Sequence, residues 1–482
     1  MRLEKLLSGV EVLGWLGDLR VEISLVVEDS RLVRPGALFV ARPGIQEDGH
    51  RYIREAMASG AAAVVRMDRL DSELPVPQVL VREAATALAR LLSNFYRSPE
   101  RRLRLVGITG TNGKSSVAWM LREAYRKMGQ PAGLVGTLLY DTGIRVERAR
   151  ETTPGLTRLY HLLAEMVEAG VSTAFLEVSS HALDQRRVAG LVFEGAVFTN
   201  LSRDHLDYHG DLETYFQTKK RLLTDYLPPK GFAVINVTDP WGARLEHELP
   251  RVSKFRVGGE WQAEILERSQ GLVLRVRDPE GEFRVRTRLF GDFQRENFLC
   301  AWAVLRGLGF SAKEVAEALE EVEAPPGRLE PVAGYRGARI FVDYAHTPEA
   351  LAAALRSLRA LSPRRLLCLF GCGGNRDRGK RPLMGRVAST LADLVYLTSD
   401  NPRFEDPQAI VREILLGMNG TRMRVILDRR EALRKAISEL QQGDLLLVAG
   451  KGHEDYQEIA GRRLPFSDTE EIRRIVRELQ DG

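Results

Sequence analysis

The sequence predicts an α/β protein of about three domains, on three observations. Short apolar runs alternate with helical patterns at Leu105–Thr109, Thr173–Val178, Ala196–Thr199, Phe232–Asn236, Ile340–Asp343, Arg365–Phe370 and Leu445–Ala449. Strands that alternate with helices imply parallel sheets. The chain has 482 residues, too many for one ordinary core at roughly 150 residues per domain. Two breaks divide it: the charged, Pro-containing stretch Arg97–Arg104, and the Pro-Pro-Gly of Ala324–Gly327 behind a helical run. Domains are therefore expected at 1–98, 99–328 and 329–482. Within the second, residues 263–290 alternate around Asp278-Pro279-Glu280-Gly281 and read as a β-hairpin.

Composition supports a globular chain, with 44% hydrophobic and 28% charged residues. The 70 basic and 65 acidic side chains nearly cancel. A net charge of +5 suits small anionic substrates and gives no argument for nucleic acid. Cys300, Cys368 and Cys372 are too few for a disulfide framework and lack zinc spacing, so they read as reduced core thiols. No run approaches the ~18 apolar residues of a membrane span. The first residues lack the basic start and apolar stretch of a signal peptide, so a cytoplasmic protein with no membrane partner is expected.

The strongest local signal is Gly107-Ile-Thr-Gly-Thr-Asn-Gly-Lys-Ser115, between a strand and the helix opening at Ser115. Small residues at Gly110, Thr111, Asn112 and Gly113 let backbone N–H groups converge on phosphate. The helix N-terminus adds positive potential, Lys114 reaches the terminal phosphates, and Ser115 offers a hydroxyl to Mg²⁺. The strict pattern wants Gly at position 108, which is Ile here, so the loop is a variant.

Four further segments join it: Glu177-Val-Ser-Ser-His-Ala-Leu183, Thr199-Asn-Leu-Ser-Arg-Asp-His-Leu-Asp207, Asp343-Tyr-Ala-His-Thr-Pro348 and Gly450-Lys-Gly-His-Glu454. With Asp29-Ser-Arg31 near the start, this set resembles the Mur ligases, and within them the tripeptide synthetases of the MurE branch. The resemblance implies three α/β domains: one for a UDP-sugar, a central phosphate-loop ATPase-like domain, and a C-terminal Rossmann-like domain for the incoming amino acid. It also implies an ATP-dependent ligase of peptidoglycan synthesis that phosphorylates a carboxylate and joins the acyl phosphate to an amine. The expected partners are ATP, a UDP-N-acetylmuramoyl dipeptide and a diamino acid, and a monomer is expected.

Glu177 ends an apolar strand, His205 follows another, and Lys219 lies on the helical pattern Leu212–Leu223. Residues at the C-termini of parallel strands gather at one edge, and carboxylate with imidazole there suits Mg²⁺. The resemblance implies that Glu177 and His205 hold Mg²⁺, and that Lys219, in Tyr215-Phe-Gln-Thr-Lys219, is carbamylated by CO₂. A neutral amine takes up CO₂, and Mg²⁺ stabilises the resulting anion.

By the same resemblance, Ser30, Gln46 and Glu47 contact the uridine, and Thr152, Thr153, Ser179, Gln185 and Arg187 hold the muramoyl peptide and its phosphates. Thr152 and Thr153 also stand before Pro154, where they could cap a helix. Position 151 is Glu where some relatives carry Asn. Asn297 is implied at adenine and Arg328 near the ATP phosphates, with Asp343 and His346 facing the nucleotide.

The incoming amino acid is read from Asp400-Asn401-Pro402-Arg403, Arg376, Gly450 and Glu454. Meso-diaminopimelate carries an ammonium and a carboxylate on its far carbon, whereas lysine carries only the ammonium. Arg403 offers a fork to the carboxylate, and Glu454 with the Gly450 carbonyl accepts from the ammonium. Meso-diaminopimelate is thus expected, with L-lysine or L-ornithine as the alternative. The nucleotide motifs would also serve a folylpolyglutamate synthetase, which lacks the domain carrying Asp29-Ser-Arg31. A non-enzymatic nucleotide switch would have no use for a third domain.

Overall fold

Buried parallel strands need apolar side chains on both faces, and the unbroken apolar runs become the central strands. A computed structural model describes every residue except 45, 46, 250, 251, 421 and 482. The predicted strands Phe232–Asn236 and Leu445–Ala449 appear at those limits, and the others within two residues of them. The chain is divided into two units, Met1–Gly107 with Gln130–Ala196 and Arg221–Gly231, and Ile108–Gly129 with Val197–Lys220 and Phe232–Gly482.

In the first unit a five-stranded sheet runs in the order Val12–Leu16, Gln78–Val81, Ala61–Arg66, Ala37–Val40, Leu25–Val27. All neighbours are parallel except the first pair. The helix Ala84–Phe95 is started by Glu83, whose carboxylate accepts from the backbone N–H of Ala85 and Thr86. In the same unit Thr173–Glu177 pairs in parallel with Ala132–Val135, with Leu176 opposite Val135, so both chains end at one level. Ala132–Val135 continues antiparallel into the short strands Leu139–Asp141 and Val146–Arg148.

In the second unit the helix Lys114–Lys127 follows the glycine loop, and Leu212–Thr224 carries Lys219. The alternating stretch around Asp278–Gly281 is a three-stranded sheet rather than a lone hairpin, because Gln262–Glu267 adds to Val273–Asp278 and Gly281–Arg286. A six-stranded sheet has the order Glu330–Tyr335, Ala338–Asp343, Leu445–Ala449, Leu366–Phe370, Leu394–Leu397, Arg422–Val425. Its register sets Asp343 opposite Ala449 and Phe370 opposite Leu397. The loops after these strands, where binding residues were expected, therefore leave from one edge. Cys300, Cys368 and Cys372 are buried free thiols, and burial pushes Cys368 and Cys372 up to about 12. Among the described residues no helix is long and apolar enough to cross a membrane.

Candidate functional site

The C-terminal edge of the first unit's parallel sheet opens on a cavity of about 910 Å³. Ser30, Glu47, Gln185 and Arg187, which the resemblance assigns to the UDP-sugar peptide, line it; Gln46 lies outside the described residues. Asp29 caps the Ser30–Leu32 turn by accepting from the Arg31 N–H, which turns Ser30 inward to donate to Glu55 at 3.4 Å. The Tyr52 hydroxyl donates to Glu47. Arg42 was missed, although it sits just past the strand Ala37–Val40, where the same edge rule would have found it. It binds Glu28 at 2.6 Å and the Gln185 carbonyl at 2.8 Å.

Arg187 is already engaged. It donates to Gln185 Oε1 at 2.8 and 3.0 Å, to the Thr153 carbonyl at 2.8 Å and to Glu151 at 2.9 Å. Neither Thr152 nor Thr153 caps a helix, since Gly155 starts Leu156–Glu168. The Thr153 hydroxyl donates instead to the Glu177 carbonyl at 2.7 Å and accepts from the Ser179 N–H at 3.1 Å. Glu177 is buried, and its carboxylate accepts from the N–H and hydroxyl of Thr137 at 2.9 and 3.0 Å. Thr137 in turn touches the Thr152 hydroxyl at 3.0 Å. Gly136 gives Glu177 its room, because a Cβ there would lie 2.3 Å from Glu177 Oε1 and displace the carboxylate.

In the second unit the glycine loop is held from below. Thr199 donates to the Asn112 carbonyl at 2.6 Å, and Asn200 accepts from the Asn112 N–H at 2.9 Å. Gly110 and Gly113 have φ of 141° and 87°, and a Cβ at 113 would lie 2.2 Å from Asn297 Oδ1, so Asn297 lies against the loop. Lys114 Nζ donates to the carbonyls of Gly110 and Thr111 at 2.8 and 2.9 Å. Arg328 stacks 4.6 Å over the Tyr344 ring and reaches Ser115 Oγ at 3.4 Å.

Lys219 is only 1% exposed. Its Nζ donates to the Gly110 carbonyl at 2.9 Å and lies 4.5 Å over the Tyr215 ring. Burial first, and the Lys114 charge second, hold its amine well below the usual lysine range. His205 has a left-handed φ of 53°, and its Nε2 lies 3.4 Å from Asp204. Asp204 was not singled out from the sequence. Burial would raise its carboxyl, but the facing His346, 3.9 Å away, and His205 hold it well below the usual range. His346 Nδ1 donates to the Tyr344 carbonyl at 2.8 Å, which leaves Nε2 toward Asp204. The buried Asp343 carboxylate accepts from the N–H of Leu329 and Ala345 at 2.6 and 2.7 Å, yet burial pushes it up to about 6. Among the described residues no three His, Cys, Asp or Glu side chains form a metal-holding group.

The amino-acid segments converge. A Cβ on Gly450 would lie 2.5 Å from Asp400 Oδ2. Asn401 donates to Glu454 at 2.8 Å, and Lys451 donates to Glu454 at 3.0 Å and to Asn401 Oδ1 at 3.1 Å. Lys451 is the main residue missed here; it stood inside the quoted Gly450–Glu454 segment, but its partner Asn401 is 50 residues away. Arg403, with φ of 52°, donates to the Gly374 carbonyl at 2.8 Å and lies 3.4 Å from Glu458. Its guanidinium and the exposed Arg376 both border Gly373.

Comparison with known proteins finds three family models along the chain. A model of the Mur ligase family catalytic domain matches residues 22–96, the Mur ligase middle domain matches 108–305, and the Mur ligase glutamate ligase domain matches 327–452. The chain is 41% identical to the UDP-N-acetylmuramoyl-L-alanyl-D-glutamate--2,6-diaminopimelate ligase of Gloeobacter violaceus, across 95% of this chain and 94% of that one. The enzyme of the same name from Pseudomonas aeruginosa is 42% identical, across 93% and 94%. A solved structure bearing that name matches with a TM-score of 0.70 at 31% identity, covering 100% of this chain and 99% of that chain. The chain belongs to the Mur ligase family.

Proposed function

We propose that this chain is an ATP-dependent ligase that joins meso-diaminopimelate to the D-glutamate of UDP-N-acetylmuramoyl-L-alanyl-D-glutamate, a peptidoglycan precursor. The observation that carries the reading is the 41% identity, over 95% of the chain, to a ligase named for those substrates. A substrate carboxylate oxygen bonds to the terminal phosphorus of ATP, and ADP leaves. The amine nitrogen then bonds to the acyl carbon, phosphate leaves with the electron pair, and the amine gives up a proton.

The loop N–H groups and Lys114 hold the phosphates, and Arg328 beside Ser115 adds a second positive charge where negative charge gathers. Asn297 meets adenine, while Asp343 and His346 face the nucleotide. Mg²⁺ would be held by the Ser115 hydroxyl, the His205 imidazole and the buried Lys219, whose neutral amine would take up CO₂ and release a proton to give a carbamate anion, its remaining N–H kept on the Gly110 carbonyl. Glu177 is the further carboxylate that the family resemblance assigns to it. When bound, the metal neutralises phosphate oxygens.

Ser30, Glu47, Thr152, Thr153, Ser179, Gln185 and Arg187 bind the UDP-sugar peptide. Arg376, Asp400, Asn401, Pro402, Arg403, Gly450 and Glu454 receive the diamino acid. The domains run 1–98, 99–328 and 329–482, and the enzyme works as a cytoplasmic monomer on small molecules. The test is phosphate release from ATP with the UDP-sugar dipeptide, with and without diamino acid, read together with product mass. Release that ignores both substrates overturns the ligase reading. Comparison of kcat/KM for meso-diaminopimelate, L-lysine and L-ornithine tests the amine, and equal or better use of lysine overturns that assignment.

A further inference from the structure

Two loops supply the amino-acid side chains, and the sheet does not tie them to each other. Asp400–Arg403 follows the strand Leu394–Leu397, whereas Gly450–Glu454 follows Leu445–Ala449. Between those strands runs Leu366–Phe370. Its rungs end at Leu397 on one side and at Val448 on the other.

Besides Lys451, which reaches Asn401 from within its own loop, a second buried side chain spans the gap from outside both loops. Arg429 donates through Nη1 to the Ser399 carbonyl at 3.4 Å and through Nη2 to the Ala449 carbonyl at 3.0 Å. These carbonyls stand immediately before Asp400 and Gly450. The rest of the guanidinium meets Asp468 in a paired contact at 2.7 and 2.7 Å, and both side chains are fully buried. The site is a costly one for a cation. Arg429 is the first residue of the helix Arg429–Ser438, where the helix presents its positive end. Buried ion pairs also seldom add net stability over apolar residues of the same volume. The rigid planar fork has a geometric use instead: it fixes two carbonyls and one carboxylate at once.

We propose that Arg429 is a positioning residue for the amino-acid site, setting the distance between the Asp400 and Glu454 loops without touching substrate. The proposal rests on the amino-acid reading given above. Loops held by Arg429 keep Asn401 and Glu454 in register to meet one distal group, and a shift of about 1 Å in such a pair is enough to cost on the order of 10²-fold.

The test compares the full chain with Arg429→Met/Asp468→Leu, which removes both buried charges at similar volume, and with Arg429→Lys, which keeps the charge but cannot reach both carbonyls. KM is read for all three substrates, and diamino-acid binding is read separately by calorimetry. The expected result for both variants is a KM and a Kd for meso-diaminopimelate raised at least about tenfold, with KM for ATP and for the UDP-sugar dipeptide within about twofold. If the double variant does not fold, Arg429→Lys carries the same expectation. A diamino-acid KM within about twofold of the parent in a folded variant, or three KM values rising together, overturns the proposal. A parent chain that uses no diamino acid overturns the functional reading itself.

Discussion

Charge is handled in opposite ways on the wall of the first unit's cavity and behind the loops Asp400–Arg403 and Gly450–Glu454. In the first unit two pairs on the cavity wall are open to water, one between Arg187, 22% exposed, and Glu151, 51% exposed, the other between Arg186 and Glu83. In the second, Lys451, Arg429 and Arg381 have no exposed side chain, and each meets a carboxylate. Wet pairs hold each other weakly, so a guanidinium there trades its carboxylate for a substrate anion at small cost. Buried pairs act as frame, because removing one partner strands a charge. Lys219 follows neither pattern: it is buried, but its hydrogen-bond acceptor is a carbonyl.

That third case gives the largest expected effect. Lys219→Ala should lower kcat by at least ~10²-fold, and a small carboxylic acid should restore part of it by standing in for the missing anion. Full activity in the variant, measured by phosphate release, would break the distinction between Lys219 and an ordinary buried amine. Next comes stability. Arg381 donates to Glu405 at 2.9 Å and to Glu413 at 2.7 Å. Arg381→Met should therefore cost about 1.5–3 kcal/mol in urea unfolding, since it removes charged hydrogen bonds but leaves carboxylates that water still reaches. Arg187→Met should cost less than ~1 kcal/mol in the same assay. Similar losses for the two would erase the contrast.

The pH dependence sharpens it. The Arg381 guanidinium holds Glu405 down to about 2 from its ordinary 4.5. A depressed carboxyl stabilises the fold fully above pH 4.5, and the contribution is lost as pH falls toward 2. Glu405→Gln should flatten the unfolding free energy across that window, and an unchanged slope would contradict the pairing. The smallest effect belongs to the wet pair. Glu151→Gln should shift stability by under ~0.5 kcal/mol. It should also lower KM for the UDP-sugar dipeptide roughly two- to fivefold, because Arg187 is then freed of an internal rival. A raised KM would mean that Glu151 itself binds substrate.

Much of this was legible in the sequence where neighbours in space are neighbours in the chain. Phe232–Asn236 and Leu445–Ala449 are unbroken apolar runs, the form a strand buried on both faces must take. The glycine loop carries its own geometry in a few residues. Gln262–Glu267 was less legible because it is half-exposed and alternates like the hairpin beside it. Leu139–Asp141 and Val146–Arg148 are three-residue strands, too short to show a period. Among the candidate site residues, Ser30, Asn297 and Glu454 were named from motifs, and Lys451 and Arg429 were not. Arg429 meets Asp468 across 39 residues, in an otherwise ordinary helix start. Such pairings exist only after the sheet has closed.

The three buried thiols give the chain a clock of its own. A thiol with its proton held as tightly as in Cys368 and Cys372 reacts with an alkylating reagent only when its surroundings open. Cys300 sits in the helix Gln294–Gly307, Cys368 in a central strand and Cys372 in the loop just beyond it. The order in which the peptides bearing them gain mass under a slow alkylating pulse therefore records which region breathes first. Adding one substrate at a time would slow whichever signal belongs to the region it ties down, and no label need be engineered.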